Sequence, residues 1–463
     1  MNFALRTGLA LLAVAATVAT AGAQDKPAPA SVPAPGAITP KPLSPTVKKG
    51  LEYLVKQQHP NGGWGQGGGW RVGEQGRIEG VDVKDPPDVG DTCIAVLALV
   101  RAGNTPLQGP YAKEVERAVD FVCNHVQKSD ETSLYVTDAR GTQMQSKIGP
   151  YVDTFLASLV LAELKGKTDD HGRLATMLTK TVRKIERHQQ DDGTFKGNDG
   201  WATVLSQGLA NKGLNRAAQC GVAVHQTALA RIKGQVEANY DAKAGTFKPA
   251  QGPGPYGSPD LASKNPQRTV NYNGRGNAQQ SQAPAAGRGN SVPAGPSDAG
   301  VPIYNASSNL TNAADVANTL RMQEKRAKEV LGDKDAKPEE RKKAQDTLKR
   351  VAEAETLCDE ATRSVLKQLD QPEFAQGYGS NGGEEFLSYM NISEALLLKG
   401  GDDWKKWDKL MTESLSRIQD RDGSWSGHHC ITGRTFCTAT ALLVLMADRA
   451  PVTAAEKGEA LSK

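Results

Sequence analysis

The sequence predicts an all-α protein, an α/α toroid of five to six helical hairpins interrupted by a disordered insert. Three observations predict this fold class. One polar turn recurs at a fixed spacing, Ala- and Leu-rich segments align in register with one another, and amphipathic segments precede the turns. Outer and inner helices that alternate in this way close most simply into a ring.

Three turns share the spacing QxxxGxW or QxxxGxF, and we interpret them as structural. Their shared positions are Gln58, Gly62 and Trp64; Gln189, Gly193 and Phe195; and Gln419, Gly423 and Trp425. Asn or Asp before Gly suits a turn with positive φ, and the aromatic ring is expected to pack back on the helix pair. The Gln amide is expected to bond free carbonyls at the end of the preceding helix.

Five aligned segments are predicted to be inner helices. They begin at Asp91, Asp153, Ala202, Leu387 and Cys437. A hydroxyl occupies the second position of every copy: Thr92, Thr154, Thr203, Ser388 and Thr438. Because each hydroxyl stands near the start of its helix, we expect it to cap free backbone N–H groups there.

Amphipathic segments before the turns are predicted to be outer helices. They span 47–57, 113–127, 174–188, 340–370 and 405–418. In the first of them Val47, Leu51, Leu54 and Val55 follow the pattern of a surface helix that buries one face. A sixth hairpin is expected within 205–240.

The later part of the chain interrupts the repeat. Residues 241–311 contain few large apolar side chains and are expected to be a low-complexity, disordered insert. Residues 312–449 are expected to hold a charged helical arm and the remainder of the toroid, followed by a tail at 450–463. The arm is predicted from the charged stretches 313–331 and 337–370, and the insert or this arm is a candidate contact surface for a protein partner.

The first residues indicate export. Arg6, an apolar run and the small residues at 21–23 are typical of a signal peptide over 1–23, followed by a Pro/Ala-rich linker at 24–46. The apolar run is short for a membrane span, so we expect no transmembrane segment in the mature form and a periplasmic or secreted protein. A net charge of +4 favours neither a nucleic acid nor an anionic membrane as partner.

The turns and the inner helices that carry a Thr near their start resemble the prenyltransferase/squalene oxidase repeat family. Squalene–hopene cyclases, oxidosqualene cyclases and protein prenyltransferase β subunits share this repeat on an α/α toroid. The resemblance covers about 47–240 and 340–448. It implies the fold and does not by itself imply a chemistry.

Two departures from that family count against terpene cyclisation. The chain lacks the DxDD acid of the squalene–hopene cyclases, and aromatic residues, which stabilise cations in such cavities, make up only 5% of it. We therefore expect a binding protein that uses the toroid cavity for a lipid, a peptide or a glycan. Whether it is an enzyme stays open, and the alternatives are a terpene cyclase or prenyltransferase-like enzyme and a polysaccharide lyase or hydrolase.

Nine residues are candidates for the cavity or its rim. They are Asp91, Cys93, Asp153, Glu384, Glu385, His428, His429, Cys430 and Cys437. Protein prenyltransferases hold zinc through a DxC pair and a later His; this chain has Asp91 and Cys93 at that spacing, but Cys437 where the resemblance would place His. No cofactor is expected, with zinc as the alternative. Paired carboxylates on Asp91 and Asp153, with Glu384 and Glu385 opposite, would suit a lyase or hydrolase.

The same residues also have a purely structural interpretation. Asp91 and Asp153 can be helix caps, Cys93 and Cys437 small core residues, and the two histidines exposed loop residues. The six cysteines are Cys93, Cys123, Cys220, Cys358, Cys430 and Cys437. We expect either buried thiols or one or two disulfides, among them a local Cys430–Cys437 bridge.

Overall fold

A computed structural model describes residues 39–73, 76–78, 85–248, 300–369, 382–428 and 430–451. The predicted signal peptide, nearly all of the predicted linker, the central part of the insert, the tail from residue 452 and His429 lie outside the described residues.

The described residues are mostly helical, with little sheet, which confirms an all-α protein. Six helices bury one face and form an outer set: α1 (Pro45–Lys56), α3 (Ala112–Lys128), α6 (Arg173–His188), α8 (Gln226–Asn239), α10 (Pro338–Leu369) and α12 (Gly401–Ile418). Six form an inner set: α2 (Val89–Arg101), α5 (Val152–Leu164), α7 (Thr203–Gln219), α9 (Gly300–Gly332), α11 (Gly383–Lys399) and α13 (Arg434–Leu445). The remaining elements are α4 (Gln143–Ile148), a 3-10 turn (Ala447–Arg449), and two antiparallel ribbons, β1 (Arg71–Gly73) with β2 (Gly76–Ile78) and β3 (Tyr240–Asp241) with β4 (Thr246–Phe247).

Burial separates the two sets of helices. The outer helix α6 buries a single stripe that includes Leu174, Leu178 and Ile185. The inner helix α5 buries all thirteen of its residues, polar ones included. A helix that is buried all round must be covered on every side by other helices, so the inner set forms the core.

Contacts among the inner helices follow a cyclic order. Each inner helix packs against the next one along the chain, and the last, α13, packs against the first, α2. The first turns of α2 and α5 are in contact, since Gly90 N donates to Asp153 Oδ1 at 2.9 Å. Their last turns are in contact through a hydrogen bond from Arg101 to Glu163. Neighbouring inner helices are therefore parallel. We call their first turns, with the loops that lead into them, the N-terminal rim.

Helix α9 was not predicted as an inner helix, and this is the largest correction to the expected fold. Residues 300–311, assigned from the sequence to the insert, form its first turns, and the charged stretch 313–331 continues it. The hairpin expected within 205–240 corresponds to inner helix α7 followed by outer helix α8. The inner face of α9 is rich in Asn, Ser and Thr, as in "NASSNLTN" (305–312), so it lacks the Ala/Leu signature of the other copies.

The expected arm corresponds to the end of α9 and the start of α10. These two helices pack along each other as a pair. Between residues 321 and 350 most side chains are exposed or half-buried, while Ala327 and Ala344 are buried. Small side chains at these two positions let the charged ends of the two helices approach each other.

The repeated Gln closes its own turn and reaches forward to the next outer helix. Gln58 Nε2 donates to Gly62 O at 2.9 Å and to Glu114 O in α3 at 2.8 Å. Gln419 makes the same pair of bonds, to Gly423 O and to Thr46 O in α1, both at 2.9 Å. The expected bond to the preceding helix was wrong, because these carbonyls belong to the turn itself and to the first turn of the following outer helix.

The glycines of all three turns have the predicted positive φ. Gly62, Gly193 and Gly423 have φ of 90°, 83° and 93°. A Cβ at Gly62 would collide with the carbonyl of Arg117 in α3, and one at Gly423 with the carbonyl of Lys49 in α1. Glycine is required at these positions both by the backbone conformation and by the close approach of the next outer helix.

In two copies the aromatic residue of the turn and the Thr of the inner helix are joined by hydrogen bonds. Trp64 Nε1 donates to Leu54 O at 2.7 Å, and Trp425 Nε1 to Leu415 O at 2.9 Å. The backbone N–H of Trp425 donates to Thr438 Oγ1 at 3.0 Å, and Trp64 N donates to Thr92 Oγ1 at 2.9 Å. The predicted capping role of Thr was therefore wrong for these two copies: the hydroxyl holds the turn on the inner helix.

Candidate functional site

Three buried carboxyl groups lie together at the N-terminal rim between α2 and α5. Asp88 is the N-cap of α2 and accepts from Asp91 N at 2.9 Å. Asp153 accepts from Gly90 N and from Gln145 Nε2 of α4, so it ties three elements together. Both carboxyl oxygens of Asp91 are buried and have no hydrogen-bond partner among the described residues. The expected capping role therefore belongs to Asp88 and not to Asp91.

Burial changes the protonation of this cluster. Removal from water raises the pKa of Asp91 and of Asp153, and the neighbouring carboxyl of Asp88 adds to the effect at Asp91. Cys93 is fully buried beside them, and burial likewise raises the pKa of its thiol. Carboxyl groups that retain a proton in this way are common at catalytic centres, although structural networks produce them too.

A second group of candidates meets where α11 and α13 begin. Glu384 Oε2 accepts from Ile431 N at 3.2 Å, and Cys437 Sγ donates to Ile431 O at 3.5 Å. Burial raises the pKa of Glu384 to about 7, although nearby Lys147 opposes the shift. Burial also raises the pKa of Cys430 to about 12. Because the thiolate is the nucleophilic and metal-binding form, these thiols are unreactive in this state.

The remaining candidates do not join these groups. The carboxyl of Glu385 accepts from Tyr389 Oη on its own helix. His428 is exposed, and His429 lies outside the described residues. Within the described part of the chain, no three His, Cys, Asp or Glu side chains are placed to hold a metal ion together. All six cysteines are present as thiols, so the alternative of a Cys430–Cys437 bridge is not realised.

An ion-pair network lies between the later turns of five inner helices. Lys212 of α7 lies 2.7 Å from Glu394 of α11 and 3.2 Å from Asp315 of α9. Arg101 of α2 contacts Glu163 of α5 at 2.6 Å and Glu394 at 3.0 Å. All these side chains are at least nine-tenths buried. Charged side chains therefore occupy the space among the inner helices at this level.

A cavity that the sequence did not predict lies at the N-terminal rim, among α7, α8 and α9. It has a volume of about 240 Å³. Seven of its lining side chains are carboxamides: Asn198, Gln207, Gln235, Asn239, Asn305, Asn309 and Asn312. The other lining residues are Thr194, Phe195, Thr203, Val204 and Ser308, so none of the described residues that line it carries a formal charge. We call it the carboxamide cavity.

Part of the cavity wall is held by its own hydrogen bonds. Asn239 Nδ2 donates to Asn309 Oδ1 at 3.1 Å, and Asn305 Nδ2 donates to Lys248 O at 2.8 Å. Two buried polar atoms of α9, Ser308 Oγ and Asn312 Oδ1, have no hydrogen-bond partner among the described residues. A buried polar atom without a partner costs about 1–3 kcal/mol, so these two favour a ligand or water in the cavity.

A second space lies beside the carboxamide cavity, over the surface of α8. It has a volume of about 590 Å³ and shares Thr194, Gln235 and Asn239 with the cavity. Its remaining lining residues are Asp191, Asp192, Ala230, Arg231, Gly234 and Ala238. We call it the outer cleft. The walls of the two spaces come from three segments that are distant from one another in the sequence. The Asn-rich segment 305–312 was therefore the only sequence feature that could indicate either space.

The comparisons leave the site to be interpreted from its geometry. No protein-family model matches the chain, and no curated protein matches it. No helix in the part of the chain that the structure describes is long and apolar enough to cross a membrane.

Proposed function

We propose that this chain is an exported protein of the prenyltransferase/squalene oxidase repeat class. Its inner and outer helices would form an α/α toroid, and it would bind a polar, uncharged ligand at the N-terminal rim. Support for the toroid comes from the cyclic order of helix contacts and from the repeated Gln, whose last copy reaches back to Thr46 of the first outer helix. The missing DxDD acid favours binding over cyclisation.

The carboxamide cavity carries the proposal. Its lining combines seven carboxamides with two unsatisfied buried polar atoms. A hydrocarbon ligand would leave Ser308 Oγ and Asn312 Oδ1 without hydrogen bonds, and burying each polar group in that way costs about 1–3 kcal/mol. Of the three ligand classes expected from the sequence, the lining therefore favours a glycan or a peptide over a lipid.

Thermal unfolding of the purified chain tests this proposal. We expect the midpoint to rise with cellotetraose or with a capped tetra-alanine peptide, and not with squalene or farnesyl diphosphate. Val204 is half-buried and lines the cavity, so Val204→Trp should block the space and abolish the shift. A shift with the isoprenoids alone, a shift that persists in Val204→Trp, or no shift with any probe would contradict the proposal.

The cluster of Asp88, Asp91 and Asp153 favours a hydrolase or lyase as the second candidate. Burial raises the pKa of all three carboxyl groups, as in general acids. If this candidate is right, the chain should shorten a tetrasaccharide, and Asp91→Asn should abolish that turnover without loss of the folded structure. The exposed charged residues of 321–350 and the insert remain candidate surfaces for a protein partner.

A further inference from the structure

Two spaces of different character lie side by side at the third and fourth helical hairpins. The carboxamide cavity lies among α7, α8 and α9, while the outer cleft follows the exposed face of α8. The side chains of Thr194, Gln235 and Asn239 line both spaces. The two spaces are therefore adjacent.

We propose that the two spaces form one binding site for an uncharged oligosaccharide, with a terminal sugar in the carboxamide cavity and the following sugars along α8. This inference rests on the proposed function, since it names the ligand class and the direction in which the ligand lies.

The density of polar groups in the cavity points to a sugar. A carboxamide presents a donor and an acceptor side by side, and a hydroxyl group can also act as both. A sugar ring carries a hydroxyl on most of its carbons, so it can pair with many such side chains within a small volume. A peptide backbone offers one donor and one acceptor per residue, which is a lower density of hydrogen-bonding groups than a sugar ring has.

Two buried atoms mark the inner end of the site. Ser308 and Asn312 are 3% and 4% exposed, and Ser308 Oγ and Asn312 Oδ1 lack partners. They lie on α9, one turn apart, and both line the cavity. Phe195 is the only aromatic residue among the described residues that line the cavity. Its apolar surface suits the C–H groups of a sugar ring.

Charge excludes an acidic sugar. The described lining of the cavity is neutral, and the acids Asp191 and Asp192 line the outer cleft. Asp191 pairs with Arg231 at 2.5 Å, and Asp192 accepts from Thr194 N at 2.9 Å. A carboxylate on the ligand would meet these acids without an uncommitted cation in the described lining to balance it.

The floor of the outer cleft leaves space for a chain of sugars. Ala230, Gly234 and Ala238 lie four residues apart on one face of α8, and all three are exposed. A Cβ at Gly234 would meet nothing within 4 Å. Because glycine costs about 1 kcal/mol relative to alanine inside a helix, an open glycine here is not explained by helix stability.

Isothermal titration calorimetry with the full chain tests the two-part site. The probes are cellotetraose, maltotetraose and tetra-N-acetylchitotetraose, each with its own monosaccharide, and a capped tetra-alanine peptide. At least one tetrasaccharide should bind at least about tenfold more tightly than its monosaccharide, since only the longer ligand fills the cleft.

Three tryptophan substitutions separate the parts of the site. Ala238→Trp obstructs the outer cleft alone, so it should lower the affinity for the tetrasaccharide to that for the monosaccharide and leave the monosaccharide unaffected. Val204→Trp obstructs the cavity and should abolish both. Ala352→Trp, at an exposed position of α10 outside both spaces, is the matched control and should change neither.

The outcomes distinguish this inference from the function on which it rests. If the peptide alone binds, and Val204→Trp prevents it, the sugar class is overturned while binding in the cavity stands. Binding of a tetrasaccharide that Ala238→Trp leaves unchanged would overturn the assignment of the cleft. If no probe binds, both the inference and the proposed function fail.

Discussion

Glu384 lies fully buried in the first turn of α11, and its Oε1 has no hydrogen-bond partner among the described residues. Burial raises its pKa from 4.5 to about 7. In the unfolded chain the proton leaves near the ordinary pKa, whereas the folded protein retains it until about pH 7. The folded state therefore binds more protons between these values, and its stability falls as the pH rises through this window.

Glu384→Gln should remove this loss, because the amide stays uncharged at every pH. The free energy of unfolding of the natural chain is expected to fall by roughly 3 kcal/mol more than that of the variant between pH 4.5 and pH 8. Urea denaturation at the two pH values measures the difference. Glu116→Gln, at an exposed position of α3, should leave it unchanged. Equal pH dependence in natural chain and E384Q would show that Glu384 titrates normally.

At the scale of the elements, two threonines of one inner helix can test whether a hydroxyl holds the repeated turn on that helix. Thr438 and Thr440 both lie fully buried in α13. Thr438 accepts from the backbone N–H of Trp425, whereas Thr440 donates to the carbonyl of Phe436 in its own helix. Thr438→Val should cost about 2 kcal/mol, because it leaves a buried N–H without its partner.

Thr440→Val is the matched control for that substitution. The carbonyl of Phe436 can keep its bond within the helix, so the loss should be about half as large or less. Urea denaturation of both variants gives the comparison. Equal losses would mean that the hydroxyl of Thr438 does not hold the turn.

The sequence could predict those elements whose interactions recur from one copy of the repeat to the next. The turn that holds Gln58, Gly62 and Trp64 recurs twice more at the same spacing, and a constraint that acts three times leaves a readable pattern. Helix α9 belongs to the same cyclic order of contacts, but its buried residues include many Asn, Ser and Thr beside the apolar ones. Its composition therefore resembled that of the low-complexity insert beside it.

The site was less predictable than the fold, for a related reason. Asp91, Asp153 and Glu384 could be placed at the N-terminal rim because each starts an inner helix. Loops such as the one that carries Ile431 decide which of these carboxyl oxygens lack hydrogen-bond partners. Loop sequences have no periodicity from which this could be predicted. The walls of the carboxamide cavity come from segments up to more than a hundred residues apart, and no local sequence pattern predicts that such segments are in contact.

At the scale of the whole molecule, buried charges join helices that are distant in sequence. Glu394 of α11 meets Lys212 of α7 and Arg101 of α2. Burial opposes the ionisation of Glu394, but Lys212, Arg101 and Arg216 outweigh it and lower its pKa to about 2. Each charge is tolerated only because opposite charges surround it, so the network depends on five inner helices being in place together.

Glu394→Leu should therefore destabilise the protein by about 3–5 kcal/mol, because it leaves Lys212 and Arg101 undercompensated in the interior. The double variant that adds Lys212→Leu should be less destabilised than the sum of the two single variants, since one buried charge leaves with its partner. Urea denaturation of the three variants measures this coupling. Glu324→Leu, which breaks the surface pair with Lys328, is the control and should cost less than about 1 kcal/mol. Strict additivity of the two interior substitutions would mean that the ion pairs do not couple α7 to α11, and that apolar packing alone maintains the cyclic order of the inner helices.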